Sequence, residues 1–269
     1  MIHEIIDIVT EQSEAKLYTY ILNNSPEIDS DRKRPMIIIC PGGGYEFTSD
    51  REAEPIAIKM NAMGFHACVL RYSVRPAVFP TALQELSMAV VQIRRNAKQW
   101  NIDVNKVIIA GFSAGGHLAA SLGVFWNRSF LSERLGISND EIKPNGILLS
   151  YPVISSRASA HQGSFINLLG ENYDKLIHDV SLEKQVSKDT PPTFLWHTFA
   201  DNIVPVENSF MFADALLKNR IPLEMHIYPK GAHGLSLGKE ETKGKDNEST
   251  LQPEVGNWIE MAGTWIRGL

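Results

Sequence analysis

Short apolar runs recur along this chain, and stretches with helical spacing separate them. Leu17 to Leu22 alternates apolar and polar positions, which predicts an early, partly exposed strand. Pro35 to Cys40 is rich in isoleucine and reads as a buried central strand. The same signal returns at Phe65–Leu70, Val107–Ala110, Gly146–Pro152, Thr193–Thr198 and Leu223–Tyr228. Between these runs the apolar period lengthens to that of a helix. Ser49-Asp50-Arg51-Glu52 fits a capping box, and Ile56, Met60 and Met63 follow at helical spacing, with Gly64 where a C-cap belongs. Pro80 suits a helix start, and Leu83, Leu86, Val90, Ile93 and Ala97 trace one face. A further helix begins at Pro205, with Val206, Phe210, Ala213 and Leu217 on one side. A closing helix covers residues 257–268, with Trp258, Ile259, Ala262, Trp265 and Ile266 apolar.

Strands alternating with helices predict an α/β fold, with a mostly parallel sheet covered on both faces. Residues 155–190 break the rhythm with mixed polarity and several turns, and are expected to form a small insertion over the sheet. Residues 239–250 are charged and expected to be mobile. With 269 residues and 43% hydrophobic content, the chain can bury one large core, so 1–269 is expected to be a single domain.

The remaining totals mainly exclude. A net charge of −5 argues against a basic nucleic-acid surface. The two cysteines, Cys40 and Cys68, both lie in apolar strand-like runs and read as buried free thiols. No Cys/His cluster has metal-ligand spacing, so neither metal nor cofactor is expected. The N-terminal segment lacks a basic n-region and is interrupted by acids, unlike a signal peptide. No apolar stretch approaches a membrane span, and a cytoplasmic setting is the expectation.

The chemistry concentrates where strands end. Val107–Ala110 runs into Gly111-Phe112-Ser113-Ala114-Gly115, followed by a small, alanine-rich helical stretch. Strand, tight turn and helix form the context a nucleophile elbow requires; alone, Gly-x-Ser-x-Gly also fits an ordinary strand-to-helix turn. Pro41-Gly42-Gly43-Gly44-Tyr45 follows another central strand, and its glycines let backbone N–H groups face a ligand. A phosphate-loop signature is absent there. Asp201 follows the Thr193–Thr198 run and His233 follows Leu223–Tyr228. In parallel sheets ligands sit beyond the carboxyl ends of the strands, so these positions can meet. A serine hydroxyl needs a base within hydrogen-bond reach, and the base needs an orienting carboxylate.

The order Ser113, Asp201, His233 resembles that of α/β-hydrolases of the esterase/lipase class. More narrowly, the chain resembles bacterial acetylesterases and acetyl xylan esterase-like proteins. The resemblance rests on Pro41 to Tyr45, Ser49 through Pro55, Leu70-Arg71-Tyr72, Gly111 through His117, Thr190 to Thr193, Asp201 and His233-Gly234. It implies Ser113 as nucleophile, His233 as base and Asp201 as orienting acid. It implies an oxyanion hole from the N–H groups of Ala114, Gly43 and Gly44. Pro41 stands where lipase-type loops usually carry histidine before the glycines, which leaves the backbone donors intact.

Other residues compete for these roles. His117 is expected to pack under the elbow, His197 to be a satisfied core or rim histidine, and His161 and His178 to face solvent in the insertion, with lining of the substrate entrance as the alternative. Asp174, Asp189 and Glu207 are alternative acids in poorer positions. Arg71 and Tyr72 are expected to tie a strand end to a loop, and Trp126 is a candidate for lining a sugar pocket. The function expected is hydrolysis of short acyl esters, acetyl above all, on carbohydrates such as xylo-oligosaccharides. An amide-cleaving relative and a non-catalytic binding module are the alternatives, and a homo-oligomer is possible. Activity is expected to rise with pH as a histidine loses its proton near neutrality, and a flat pH–rate profile would count against His233 as the base.

Overall fold

A computed structural model describes residues 1–10 and 13–269. Its strands are β1 (Ile5–Val9), β2 (Glu14–Tyr20), β3 (Arg34–Cys40), β4 (His66–Arg71), β5 (Ile102–Phe112), β6 (Gly146–Ser150), β7 (Thr193–Thr198) and β8 (Leu223–Tyr228). They form one sheet in the order β1-β2-β4-β3-β5-β6-β7-β8. The pairs β1–β2 and β2–β4 are antiparallel, and every other neighbouring pair is parallel. The helices are α1 (Glu54–Ala62), α2 (Thr81–Arg95), α3 (Ala114–Phe125), α4 (Ser129–Leu135), α5 (Asn139–Ile142), α6 (Gln162–Leu169), α7 (Tyr173–Leu176), α8 (Glu207–Lys218) and α9 (Trp258–Gly268).

The pleat of β3 divides the interior in two. Met36, Ile38 and Cys40 join one core with Leu86 and Val90 of α2, Leu118 and Leu122 of α3, and Phe212 and Leu216 of α8. Ile37 and Ile39 join the other with Ile56 and Met60 of α1 and Trp258, Ile259 and Ile266 of α9. Successive side chains of a strand point to opposite faces, so one isoleucine-rich run supplies both layers. Burial of both faces is what favours β-branched residues in a parallel sheet. Cys40 and Cys68 are buried and unbridged, and burial pushes both thiols up, consistent with inert packing groups.

Several expected elements shift. Strand β5 begins at Ile102, five residues ahead of the Val107–Ala110 run, and is eleven residues long. The N-terminal residues contribute β1, an edge strand that alternation starting at Leu17 does not reveal. Helix α2 ends at Arg95, so Ala97 lies beyond it. On α8 half of the expected apolar face is wrong: Val206 is buried and Ala213 packs against the core, but Leu217 is 74% and Phe210 46% exposed, whereas Asn208, Ser209, Phe212, Ala215 and Leu216 face inward. Polar Asn208 and Ser209 are drawn inside because the protein uses them. The Asn208 side-chain oxygen accepts from the N–H groups of Ile154 and Ser155, and Ser209 bonds His197. Hydropathy spacing cannot register a polar group recruited for hydrogen bonding.

The capping box also fails. Ser49 makes no side-chain cap, residues 50–52 form a single 3-10 turn, and Glu52 turns into the protein instead. Residues 239–250 fold into two short turns, with Lys243 between Glu240 and Glu248. The insertion carries α6 and α7 and reaches the glycine loop, where Asn167 donates to the Gly44 carbonyl at 2.9 Å. Trp126 is buried with its indole N–H on the Asp189 carbonyl, so it lines no sugar pocket.

His117 packs beneath the elbow as expected. Its Nε2 faces the Val180 carbonyl at 2.9 Å and therefore carries the proton, leaving Nδ1 to accept from the Tyr45 hydroxyl at 3.0 Å. Burial lowers its pKa from 6.5 to about 4, against the opposing pull of the Val180 carbonyl. The unfolded chain therefore binds a proton that the folded chain refuses. This contribution to stability is complete above the unfolded pKa and is lost as pH falls from about 6.5 to about 4, by roughly 3 kcal/mol. Urea titrations across this range should show a decline in stability that is shallower in His117→Gln than in the parent.

Candidate active site

Ser113 sits between β5 and α3 with φ 53° and ψ −119°, a conformation that a residue bearing a Cβ adopts only under strain. Its surroundings hold it there. The Ser113 N–H donates to Ser150 O at 3.0 Å, and its carbonyl accepts from His117 N and Val153 N. Two glycines permit the close packing around it. A Cβ on Gly111 would stand 2.2 Å from the Gly115 carbonyl oxygen. One on Gly115 would stand 2.1 Å from Cys40 O and 2.4 Å from Pro41 O. Helix α3 can therefore press its first turn against the end of β3, beside the glycine loop.

The three expected site residues meet. His233 Nε2 lies 2.8 Å from Ser113 Oγ, and His233 Nδ1 lies 2.6 Å from Asp201 Oδ2. The carboxylate only accepts, so the proton sits on Nδ1 and Nε2 is left to accept from the serine. Asp201 is closed off from solvent. Its Oδ1 accepts from the N–H groups of Ile203 and Val204 at 2.9 and 3.0 Å, and its Oδ2 also faces His197 Nε2 at 3.2 Å. Burial alone would raise its pKa. The bonds from His197 and His233, the His233 charge and the Ile203 N–H outweigh that and hold the carboxyl well below its ordinary value. Asp201 is therefore an anion throughout the neutral range.

His197 is the core histidine that its apolar strand suggested, and it is also a support for Asp201. Its Nδ1 accepts from Ser209 at 2.7 Å, while its Nε2–H is shared between Asp201 and the Val204 carbonyl. The signal was present in the sequence as the four-residue spacing of His197 and Asp201 across a strand end. Arg71 and Tyr72 tie the strand end to the loop as expected. Arg71 bonds Thr48 and Asp50, and the Tyr72 hydroxyl donates to Pro41 O at 2.7 Å. His161 takes the alternative place rather than facing solvent: it lines the cleft and bonds Ser164 at 2.8 Å. Burial lowers its pKa, and the neighbouring His233 adds to the effect. Asp174, Asp189 and Glu207 stay outside the cluster.

Ser113, His233 and His161 open into a cleft of about 350 Å³, bounded by Gly43, Gly44 and Phe47 on one side and Ile203 on another. Phe47 and Ile203 are exposed apolar residues at its rim. Gly43 and Gly44 have φ of 129° and 65°, and Gly43 has no room for a side chain because its Cβ would meet Phe47 O at 2.1 Å. Their N–H groups and that of Ala114 are the expected anion donors, and α3 presents its N-terminus at the same point. Glu52, expected to cap a helix, instead accepts from Gly42 N at 2.8 Å and from the Tyr151 hydroxyl at 2.6 Å. Among the described residues no group of three His, Cys, Asp or Glu side chains is arranged to hold a metal ion, and no helix is long and apolar enough to cross a membrane.

An eight-stranded, mostly parallel sheet with helices on both faces and a serine at the turn after its central β5 defines an α/β-hydrolase. The chain belongs to the BD-FAE family, whose model matches residues 25–216. It is 39% identical over 232 residues to an endo-1,4-beta-xylanase B of Butyrivibrio fibrisolvens, a match covering 84% of this chain and 35% of that protein. It is 33% identical over 241 residues to an acetylxylan esterase of Xylanibacter ruminicola, covering 87% of this chain and 46% of the relative. The chain thus spans less than half the length of either relative. The crystal structure of an acetyl ester-xyloside bifunctional hydrolase from Caldicellulosiruptor lactoaceticus superposes with a TM-score of 0.84 at 36% identity, covering 98% of this chain and 96% of that one.

The packing at Gly115 yields a direct test. Both atoms a Cβ would strike belong to backbone, so neither can swing away. Gly115→Ala should lose more than about 3 kcal/mol in chemical denaturation. A variant as stable as the parent would mean that α3 does not approach β3 this closely.

Proposed function

We propose that this chain is a serine carboxylesterase that removes short acyl groups, acetyl above all, from carbohydrate esters. The observation that carries the reading is the Ser113–His233–Asp201 relay, with hydrogen bonds of 2.8 and 2.6 Å, beside a glycine loop. In this reading Ser113 Oγ attacks the ester carbonyl carbon while His233 Nε2 takes the hydroxyl proton. The carbonyl oxygen becomes an oxyanion and accepts from the N–H groups of Gly43, Gly44 and Ala114. As the tetrahedral intermediate collapses, the C–O bond to the alcohol breaks and His233 gives its proton to the departing alkoxide. Water then enters, loses a proton to His233 and attacks the acyl-serine. Collapse releases the acid and returns the proton to Ser113. Asp201 remains ionised throughout and compensates the imidazolium that forms twice in each cycle.

The substrate class draws support from the relatives. One is named an acetylxylan esterase, and the structural neighbour is described as an acetyl ester-xyloside bifunctional hydrolase. The open cleft with exposed Phe47 and Ile203 suits an alcohol part larger than the acyl group. An aromatic ring at the rim offers an apolar face on which a sugar ring can rest.

Two measurements test the reading. A fluorophosphonate should label Ser113, located by mass spectrometry of the digested protein, and Ser113→Ala should lose at least about 10⁴-fold in kcat/KM. A label elsewhere in active protein defeats the assignment. Among p-nitrophenyl esters of increasing acyl length, acetylated xylo-oligosaccharides and matched amides, the acetyl esters should be cleaved fastest. Faster cleavage of the amides would replace the esterase reading with an amidase one.

A further inference from the structure

We propose that Glu52 is a positioning residue: a buried carboxylate that holds the glycine loop and the histidine loop in one register. This rests on the esterase reading above for its kinetic test, though not for its structural one.

Glu52 is 3% exposed and forms no ion pair among the described residues. The adjacent Arg51 makes no direct ion pair with it: its guanidinium donates instead to the carbonyls of Gly234 and Thr242. A buried, unpaired carboxylate costs stability unless hydrogen bonds offset its desolvation. Both oxygens are engaged. Oε2 accepts from Gly42 N at 2.8 Å, the first residue of the glycine run. Oε1 accepts from the Tyr151 hydroxyl at 2.6 Å, and that hydroxyl accepts from Ser236 N at 2.9 Å, three residues past His233. One carboxylate therefore bridges the backbone of both loops.

The bridge is tight at each end. A Cβ on Gly42 would lie 2.7 Å from Glu52 Oε2 and 2.9 Å from Ser113 Cβ, so the glycine loop packs directly against both the carboxylate and the serine. Tyr151 has a φ of 37° and packs edge-on against the His233 ring with centroids 5.1 Å apart, so its hydroxyl and its ring serve the same loop. Ser236 is fastened again through its hydroxyl to Arg51 O and through its carbonyl to the Trp258 indole. Residues 51 and 52 thus act as a two-residue clasp between the loop that would receive the oxyanion and the loop that carries the base. Catalysis depends on these two groups sharing one geometry to within fractions of an ångström.

Three variants test this. Glu52→Ala should lose roughly 100-fold in kcat on p-nitrophenyl acetate while KM changes by less than about threefold, with rates scaled to the folded fraction measured by circular dichroism. Glu52→Gln should recover part of that loss: its carbonyl can accept from Gly42 and its amide can donate to the second lone pair of the Tyr151 oxygen, at the cost of leaving the Tyr151 O–H without its acceptor. Tyr151→Phe should fall between the two. Equal kcat per folded molecule in all three would overturn the proposal. So would a loss in Glu52→Gln as large as in Glu52→Ala. If Glu52→Ala does not fold, Glu52→Gln should still exceed Tyr151→Phe in kcat per folded molecule, and the reverse order would overturn the proposal. A crystal structure of Tyr151→Phe provides the arm independent of turnover. Residues 233–236 should move away from residues 42–44 relative to the parent, and unmoved loops would sink the clasp even in an active esterase. A parent protein with no esterase activity but with loops that separate in this variant would instead reject the esterase reading and keep the clasp.

Discussion

The structure depends on one backbone reversal. At Ser113 the chain leaves the central strand β5 and enters α3 through torsion angles that cost on the order of 1–3 kcal/mol. Such a conformation persists only where neighbours over-determine it. Here the constraints come from three directions: β6 through Ser150 O, the following segment through Val153 N, and α3 through His117 N. Gly111 and Gly115 remove the side chains that would keep strand and helix apart. The cost is small beside the burial of α3, every residue of which is inside the protein.

From that reversal the arrangement of the site follows. β5, β7 and β8 run parallel, so the ends that carry Ser113, Asp201 and His233 all open on the same edge of the sheet. The relay is nonetheless more than three side chains. Asp201 is held by two backbone N–H groups and by His197, and His197 is held by Ser209 from α8. The inward turn of polar residues on α8 is thus a consequence of the site's chemistry rather than an exception to the packing rules.

Much of this was legible in the sequence, for identifiable reasons. β3, β5, β6 and β7 announce themselves because strands buried on both faces are continuous apolar runs. The glycine loop, the serine turn, Asp201 and His233 were readable because each stands just past such a run. What escaped was polar and inward. Glu52 satisfied the spacing of a capping box, yet its carboxylate serves Gly42 and Tyr151, contacts across 10 and 99 residues that no local pattern encodes. On α8, Leu217 and Phe210 matched a helical stripe but are exposed, and inward positions go instead to Asn208 and Ser209, which bond Ile154, Ser155 and His197. β1 was missed because an edge strand with exposed Ile5 and Val9 buries too little to show the pattern of a core element.

The position of His233 has an implication for biosynthesis. The imidazole reaches Ser113 across 120 residues of intervening chain, and the strand that delivers it, β8, lies at the far edge of the sheet. A ribosome-bound chain that has already emerged through α3 has its serine and its glycine loop but no proton acceptor beside them. On the proposed esterase reading, the elbow gains its proton acceptor only once β8 has been made and has docked at the edge of the sheet, long after α3 has emerged.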